Sequence, residues 1–226
     1  MKKKLVALFL SLTLLLTAAF PALATSVLDL SPFRDEEFFD ISVDTDSEVA
    51  FITTQLSVSD RAYVHDLESD VRYSSFESDV LVLDYFSSKP YGILRTWIRY
   101  AADDFLNITS VSFIIGKQQF TFSGVADKDW HEQYDNGIVE TVLIKYGGTA
   151  DMATFLLAVS EEIGKRMEDE TYVPDVKMIL HGTKDVTATI TDGPLLDLYV
   201  MMVTFIEGNG DLSDASPTTL KVVTLE

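Results

Sequence analysis

The sequence predicts an α+β fold: an antiparallel β-sheet of about six to eight strands built from hairpins, with two helices packed on one face. Apolar residues alternate with a period of two through most of the chain, and short Gly-, Asn- or Pro-bearing turns separate the alternating runs. Two stretches depart from that period, one after Gly147-Gly148 and one after Gly193-Pro194. The first shows a helical stripe and the second is apolar on nearly every side.

The chain opens with a segment read as an export signal rather than as part of the fold. Lys2, Lys3 and Lys4 form a basic start, and Leu5 to Leu16 is an apolar run broken only by Ser11 and Thr13. Pro21 and Ala22-Leu23-Ala24 then supply the helix break and small-x-small site that signal peptidase reads. Cleavage is expected after Ala24, so residues 1–24 are the signal and residues 25–226 a single secreted or extracytoplasmic domain. The run is shorter than the roughly 20 residues a bilayer span needs. The apolar run Leu198 to Ile206 is shorter still and contains Thr204, so no membrane span is expected after cleavage.

Strands follow in order. Phe38 to Val43 and Val49 to Leu56 are β-compatible, the second with Ala50, Ile52, Thr54 and Leu56 on one face. Asp79 to Phe86 and Gly92 to Ala101 flank "SSKPY", a hairpin whose Pro breaks no ladder. Ile108 to Ile115 and Lys117 to Gly124 meet at Gly116-Lys117. A third hairpin, "WHEQYDNGIVETVLIKY", turns at Asp135-Asn136-Gly137.

Met152, Phe155, Leu156, Val159 and Ile163 then form a helical stripe, with Thr149 placed to cap it. Glu161–Lys165 and Glu162–Arg166 are spaced for i,i+4 pairs on its solvent side. Asp175 to Gly182 and Asp185 to Thr191 make a further hairpin, inward at Val176, Met178, Leu180, Val186, Ala188 and Ile190. The last apolar element, Leu195 to Glu207, starts after Pro194 and ends at Gly208, which favours a buried helix. The tail "TLKVVTLE" is compatible with an edge strand.

Composition narrows the function classes. The net charge is −19, and losing Lys2, Lys3 and Lys4 with the signal takes it to −22. Such a surface has no basic stripe for nucleic acid or anionic lipid. With no Cys there is no disulfide, thiolate nucleophile or Cys-based metal site. No G-x-S-x-G elbow or Gly-rich phosphate loop is present, and no His stands in a context that names it as a base.

Four constellations remain. "HEQYD" (His131 to Asp135) resembles a zinc-protease H-E-x-x-H with Asp at the last position, but Gly137 and the alternation after it predict a hairpin, not the helix such a site requires. Glu207, Asn209, Asp211 and Asp214 in "EGNGDLSD" offer near-alternate oxygen ligands of the kind calcium prefers, although Leu212 stands where a calcium loop needs Gly. Asp44, Asp46 and Glu48 form a second, shorter acidic loop. Finally, Arg95, Trp97 and Arg99 share one face of a strand in a chain poor in basic residues. An aromatic flanked by donors suits a sugar or an anionic group, and Trp and Arg are frequent binding anchors. If Ser87 pairs with Gly92, the same face places Asp84 opposite Arg95 and Val82 opposite Trp97.

The sequence therefore points to an exported binding module for a glycan, wall polymer or protein, with no cofactor beyond a calcium ion in the acidic loops. A carboxylate-based hydrolase of extracellular polymers and a calcium-stabilised structural component are the alternatives.

Overall fold

The structure is a computed structural model that describes residues 39–54, 63–64, 73–83, 91–135, 137–190, 192–208, 210 and 217–225. The export-signal region, His65 and Asp84 lie outside the described residues. Two antiparallel sheets of six strands each replace the single sheet of the sequence reading. The strands are β1 (Phe39–Asp44), β2 (Val49–Thr54), β3 (Tyr63–Val64), β4 (Tyr73–Leu83), β5 (Tyr91–Ala102) and β6 (Ser110–Ile115). They continue as β7 (Gln118–Ser123), β8 (Ala126–Tyr134), β9 (Gly137–Lys145), β10 (Val176–His181), β11 (Asp185–Thr189) and β12 (Thr219–Thr224). The helices are α1 (Ala150–Glu168) and α2 (Asp192–Glu207).

The first sheet runs β1-β2-β4-β5-β9-β8 and the second β12-β7-β6-β10-β11-β3. The α+β class and the two helices are as the pattern predicts, and β12 takes the expected edge. Alternation identifies which face of a strand is apolar. It carries no information about which of two sheets the strand joins.

Both sheets turn their apolar faces to one continuous core. Ala50, Ile52, Phe76, Val80, Leu94, Ile98, Val142 and Ile144 come from the first sheet. Val111, Phe113, Phe120, Phe122, Val176, Met178, Leu180 and Val186 come from the second. Phe76 meets Phe113 edge-on across the gap, with ring centroids 5.6 Å apart.

Helix α1 drives Phe155 into an aromatic cluster with Phe113, Phe120, Phe122 and Tyr146, all at centroid separations of 5.1–6.0 Å. Its Thr149 side chain accepts from Met152 N–H at 3.2 Å, the expected cap. Lys165 pairs with Glu162 at i,i+3, one residue nearer than the predicted Glu161. Glu162 also accepts from the Tyr172 hydroxyl at 2.6 Å, which keeps its carboxylate packed against the helix.

Helix α2 is enclosed. Leu195, Leu198, Tyr199, Met201, Met202, Val203 and Phe205 are all buried, so packing on every side decides for helix despite the Val and Phe content. It lies on β4, β5 and β2 of the first sheet and against α1. Its buried Asp197 accepts from Ser78 N–H at 2.8 Å. Among the described residues the β2 ladder on β4 ends at Asp79, one residue short of this amide, and Asp197 satisfies it. Ser78 Oγ, Thr96 Oγ1 and Tyr146 OH continue the polar seam at 2.9 and 2.8 Å. Among the described residues no helix is long and apolar enough to cross a membrane.

One carboxylate ties the two sheets. Glu140 on β9 points inward and is fully buried. It accepts from Leu106 N–H and Asn107 N–H at 3.0 Å each and from Ile108 N–H. These residues belong to the crossing from β5 to β6, where Asn107 adopts the left-handed φ of 53°. From the far side Gly182, in the β10–β11 turn, presses on the same segment. A Cβ there would meet the Leu106 carbonyl oxygen at 2.1 Å, so only glycine fits.

Two predictions follow from these buried groups. Glu140→Ala strands three amides and is expected to lower unfolding free energy by about 3–5 kcal/mol in urea titrations. A loss below about 1 kcal/mol would remove the clamp from the account.

The second concerns alkaline pH. Burial pushes the Tyr199 phenol up to about 12, with the Glu207 carboxylate adding to the rise. Burial also raises Tyr146 well above the ordinary range, against the lowering effect of its hydrogen bond to Thr96. Tyrosines of the unfolded chain ionise near about 10, so the stability from keeping these phenols neutral is complete below that pH and is lost as pH rises past it. The urea midpoint is expected to fall between about pH 10 and 12, less steeply in Tyr199→Phe. At neutral pH that substitution should cost little, because the hydroxyl has no hydrogen-bond partner among the described residues. An unchanged alkaline slope in the variant would contradict the assignment.

Candidate functional site

Period-two geometry gives the outer face of the first sheet its contents. With Phe76, Ser78 and Val80 turned inward, β4 presents Glu77 and Asp79 outward. With Leu94, Thr96 and Ile98 inward, β5 presents Arg95, Trp97 and Arg99. The register pairs Asp79 with Arg95, Glu77 with Trp97 and Ser75 with Arg99. On the other flank Trp97 lies opposite Leu143 and Arg99 opposite Thr141 of β9.

Arg95 forms a bidentate pair with Asp79, Nε to Oδ1 and Nη2 to Oδ2 at 2.7 Å each. Both side chains are about nine-tenths covered, at 10% and 11% exposure. The indole Nε1–H of Trp97 donates to the same Asp79 Oδ2 at 2.9 Å. The Arg95 guanidinium sits 5.1 Å from the centroid of the Trp97 ring and 5.9 Å from that of Phe51. Trp97 is thus held at its nitrogen by a hydrogen bond and beside its ring by a cation.

Its other neighbour is Trp130 of β8, with ring centroids 4.9 Å apart and planes tilted by 56°. Both indoles are half-buried. Next to them Arg99 and Glu77 form an open ion pair, Nη1 to Oε2 at 3.0 Å, with side chains 45% and 33% exposed.

The three residues singled out from sequence therefore share one face, and they differ in access. Arg99 is exposed, Trp97 is half-buried, and Arg95 is buried under its own ion pair. The partners assigned from a Ser87–Gly92 hairpin are corrected. Leu83 pairs with Tyr91, so Arg95 faces Asp79 rather than Asp84, and Trp97 faces Glu77 rather than Val82. The "SSKPY" connection is longer than a tight turn, which shifts the ladder. Asp79, Glu77 and Trp130 are the members sequence reasoning missed. The signal available for Trp130 was that it is the only other tryptophan in the chain.

"WHEQYDNG" is a hairpin, as its Asn-Gly predicts: Tyr134 pairs with Gly137, and Gly137 takes a φ of 140°. His131 Nε2 lies 3.3 Å from Glu140 Oε1, and its ring stacks on Phe105 at 4.9 Å. Its strand places Glu132 on the opposite face, so the two residues of the zinc motif diverge.

Of the calcium candidates, Glu207 ends α2, and burial raises its carboxyl above the usual range. Asn209, Asp211 and Asp214 lie outside the described residues. In the other acidic loop, Asp44 accepts from Asp46 N–H at 3.0 Å and from the Ser47 hydroxyl at 2.5 Å. These bonds, that from Ser47 first, lower its carboxyl and commit it to the β1–β2 turn. Among the described residues no three His, Asp or Glu side chains converge to hold a metal ion.

An Asp–His–Ser chain occurs on the outer face of the second sheet. His181 Nδ1 lies 2.8 Å from Asp185 Oδ1, and its Nε2 lies 2.8 Å from Ser112 Oγ. The connectivity is that of a hydrolytic triad, which needs an accessible nucleophile. Ser112 is fully buried in mid-strand, and Thr121 Oγ1 and Gln119 Nε2 also bond its Oγ at 2.8 and 3.2 Å. The chain is a cross-strand hydrogen-bond ladder that leaves no oxygen open to attack.

Comparison of the chain with protein-family models, curated proteins and solved structures finds no match. The reading of the site rests on its geometry.

The Asp79 clamp makes a sharp prediction. Asp79→Leu leaves a buried guanidinium unpaired and is expected to cost about 3–5 kcal/mol. Asp79→Leu with Arg95→Met removes both charges and should recover most of that loss, as read by urea midpoints. A double variant no more stable than the single one would show that the pair is not the anchor of this face.

Proposed function

We propose that this chain is an exported binding module that engages an extracellular glycan or wall polymer through the Trp97–Trp130 face. The observation that carries the reading is that the chain's only two tryptophans pack together, half-buried, on the outer face of a sheet instead of filling the core. Indoles are costly to leave in water, and an aromatic pair beside charged donors and acceptors suits a ligand with apolar and polar surfaces. A pyranose ring has that character: its C–H face lies on an indole while its hydroxyls meet Arg99 and Glu77.

In this reading Arg95 supports the site from beneath. It holds Asp79, and Asp79 holds the Trp97 ring against rotation before a ligand arrives. Preorganisation of this kind raises affinity by lowering the ordering cost of binding. The basic–apolar–Ala-x-Ala start of the chain supports export, and the acidic surface keeps an exported chain soluble.

The test is co-sedimentation of purified residues 25–226 with insoluble glycans and isolated wall polymer. Trp97→Ala and Trp130→Ala are each expected to weaken retention about tenfold or more, with folding checked by circular dichroism. Retention unchanged in both variants, or no retention of the parent protein on any polymer, would overturn the reading.

A further inference from the structure

The crossing from β5 to β6 and the β10–β11 turn enclose a cavity at the end of β5, where Tyr100 and Ala102 lie on the face of the strand opposite Trp97. Its volume is about 190 Å³, and it is lined by Tyr100, Ala102, Asp104, Phe105, Leu106, Thr183 and Lys184. The floor is apolar or aromatic: Tyr100, Ala102 and Leu106 are buried and Phe105 is half-buried. Asp104, Thr183 and Lys184 form an exposed rim.

We propose that this cavity binds a small zwitterion of free amino-acid size, with its ammonium on Asp104, its carboxylate on Lys184 and its side chain on Phe105 and Leu106. Size, charge and rigidity argue for it. The volume equals about six waters and falls below the roughly 300–1,000 Å³ of pockets for drug-sized ligands, which limits the occupant to a small molecule.

Charge selects the class. Among the described residues neither the Asp104 carboxylate nor the Lys184 ammonium has a hydrogen-bond or ion-pair partner, although both line the same small cavity. A simple anion would face Asp104 and a simple cation would face Lys184. A molecule bearing both charges satisfies both groups.

The walls are set before any ligand arrives. Thr183 N–H donates to the Leu106 carbonyl at 2.7 Å, and Thr109 N–H donates to the His181 carbonyl at 2.8 Å. Glu140 fixes the amides of Leu106, Asn107 and Ile108 from within, and Gly182 abuts Leu106 with no room for a side chain. Asp104 and Lys184 are thereby carried on two segments that are bonded to each other, as ligand preorganisation requires.

The experiment is a titration of the purified chain with glycine, alanine, valine and leucine, followed by isothermal calorimetry and by amide shifts in two-dimensional NMR. At least one free amino acid is expected to bind and to shift amides of residues 102–106 and 182–184. Asp104→Asn and Lys184→Gln are each expected to weaken it about tenfold, the loss typical of one charge-assisted bond. Both positions are exposed, so unchanged melting will show that the variants fold. The neutral N-acetyl amide of the same amino acid should not compete. Absence of binding, equal binding of the blocked derivative or of glucose, or full affinity in both variants would overturn the proposal. None of these outcomes depends on the tryptophan face, so the two sites are tested separately.

Discussion

The Glu140 carboxylate accepts three successive backbone N–H bonds from the segment that takes the chain out of one sheet and into the other. Everything on either side is arranged around that crossing. The segment cannot form a ladder, because it turns between sheets and passes through a left-handed residue at Asn107. The Leu106 and Ile108 amides would be buried without partners, at a cost of about 1–3 kcal/mol each. A single buried acid on the neighbouring strand satisfies them. Tyr100, directly across the ladder from Glu140, then lines the cavity that the crossing creates.

The same device recurs. Asp79 gathers Arg95 and Trp97, Asp197 takes the amide that the short β2 ladder leaves on Ser78, and Glu162 collects Lys165 and Tyr172. The chain has no cysteine and so no disulfide to brace it, and carboxylates bonded to donors tie its segments together instead. Part of the acidic excess is therefore internal and structural. These acids also determine which groups remain for ligands: Asp79 removes Arg95 from the surface but leaves the indoles, Arg99 and Glu77 there. Asp104 and Lys184 belong to no such cluster, which is why the cavity rim stands out.

Much of this was legible in the residues, and the gaps have physical causes. Gly116-Lys117 and Asn136-Gly137 marked their hairpins because turn chemistry is local. The stripe from Met152 to Ile163 marked α1 for the same reason. The first half of β4 was missed because Ser74, Ser75, Glu77 and Ser78 resemble a loop, and two of those serines face the core. The register of Asp79 on Arg95 depends on the length of a connection that contains no tight-turn signal. Placement of Trp130 beside Trp97 follows a register shift between Ala126 and His131, and no periodicity predicts an irregularity of that kind. The cavity draws on separate segments, none of which carries a motif.

Placing both tryptophans on one face gives the central claim a direct optical test, because no other indole contributes to the signal. The measurement is intrinsic fluorescence of the purified chain during titration with soluble glycan or wall-polymer fragments, with acrylamide quenching before and after saturation. Binding at the proposed face should shift the emission and protect both indoles from the quencher, in a saturable curve that Trp97→Ala abolishes. A ligand that binds by calorimetry while emission and quenching stay unchanged would place the binding surface elsewhere and contradict the account.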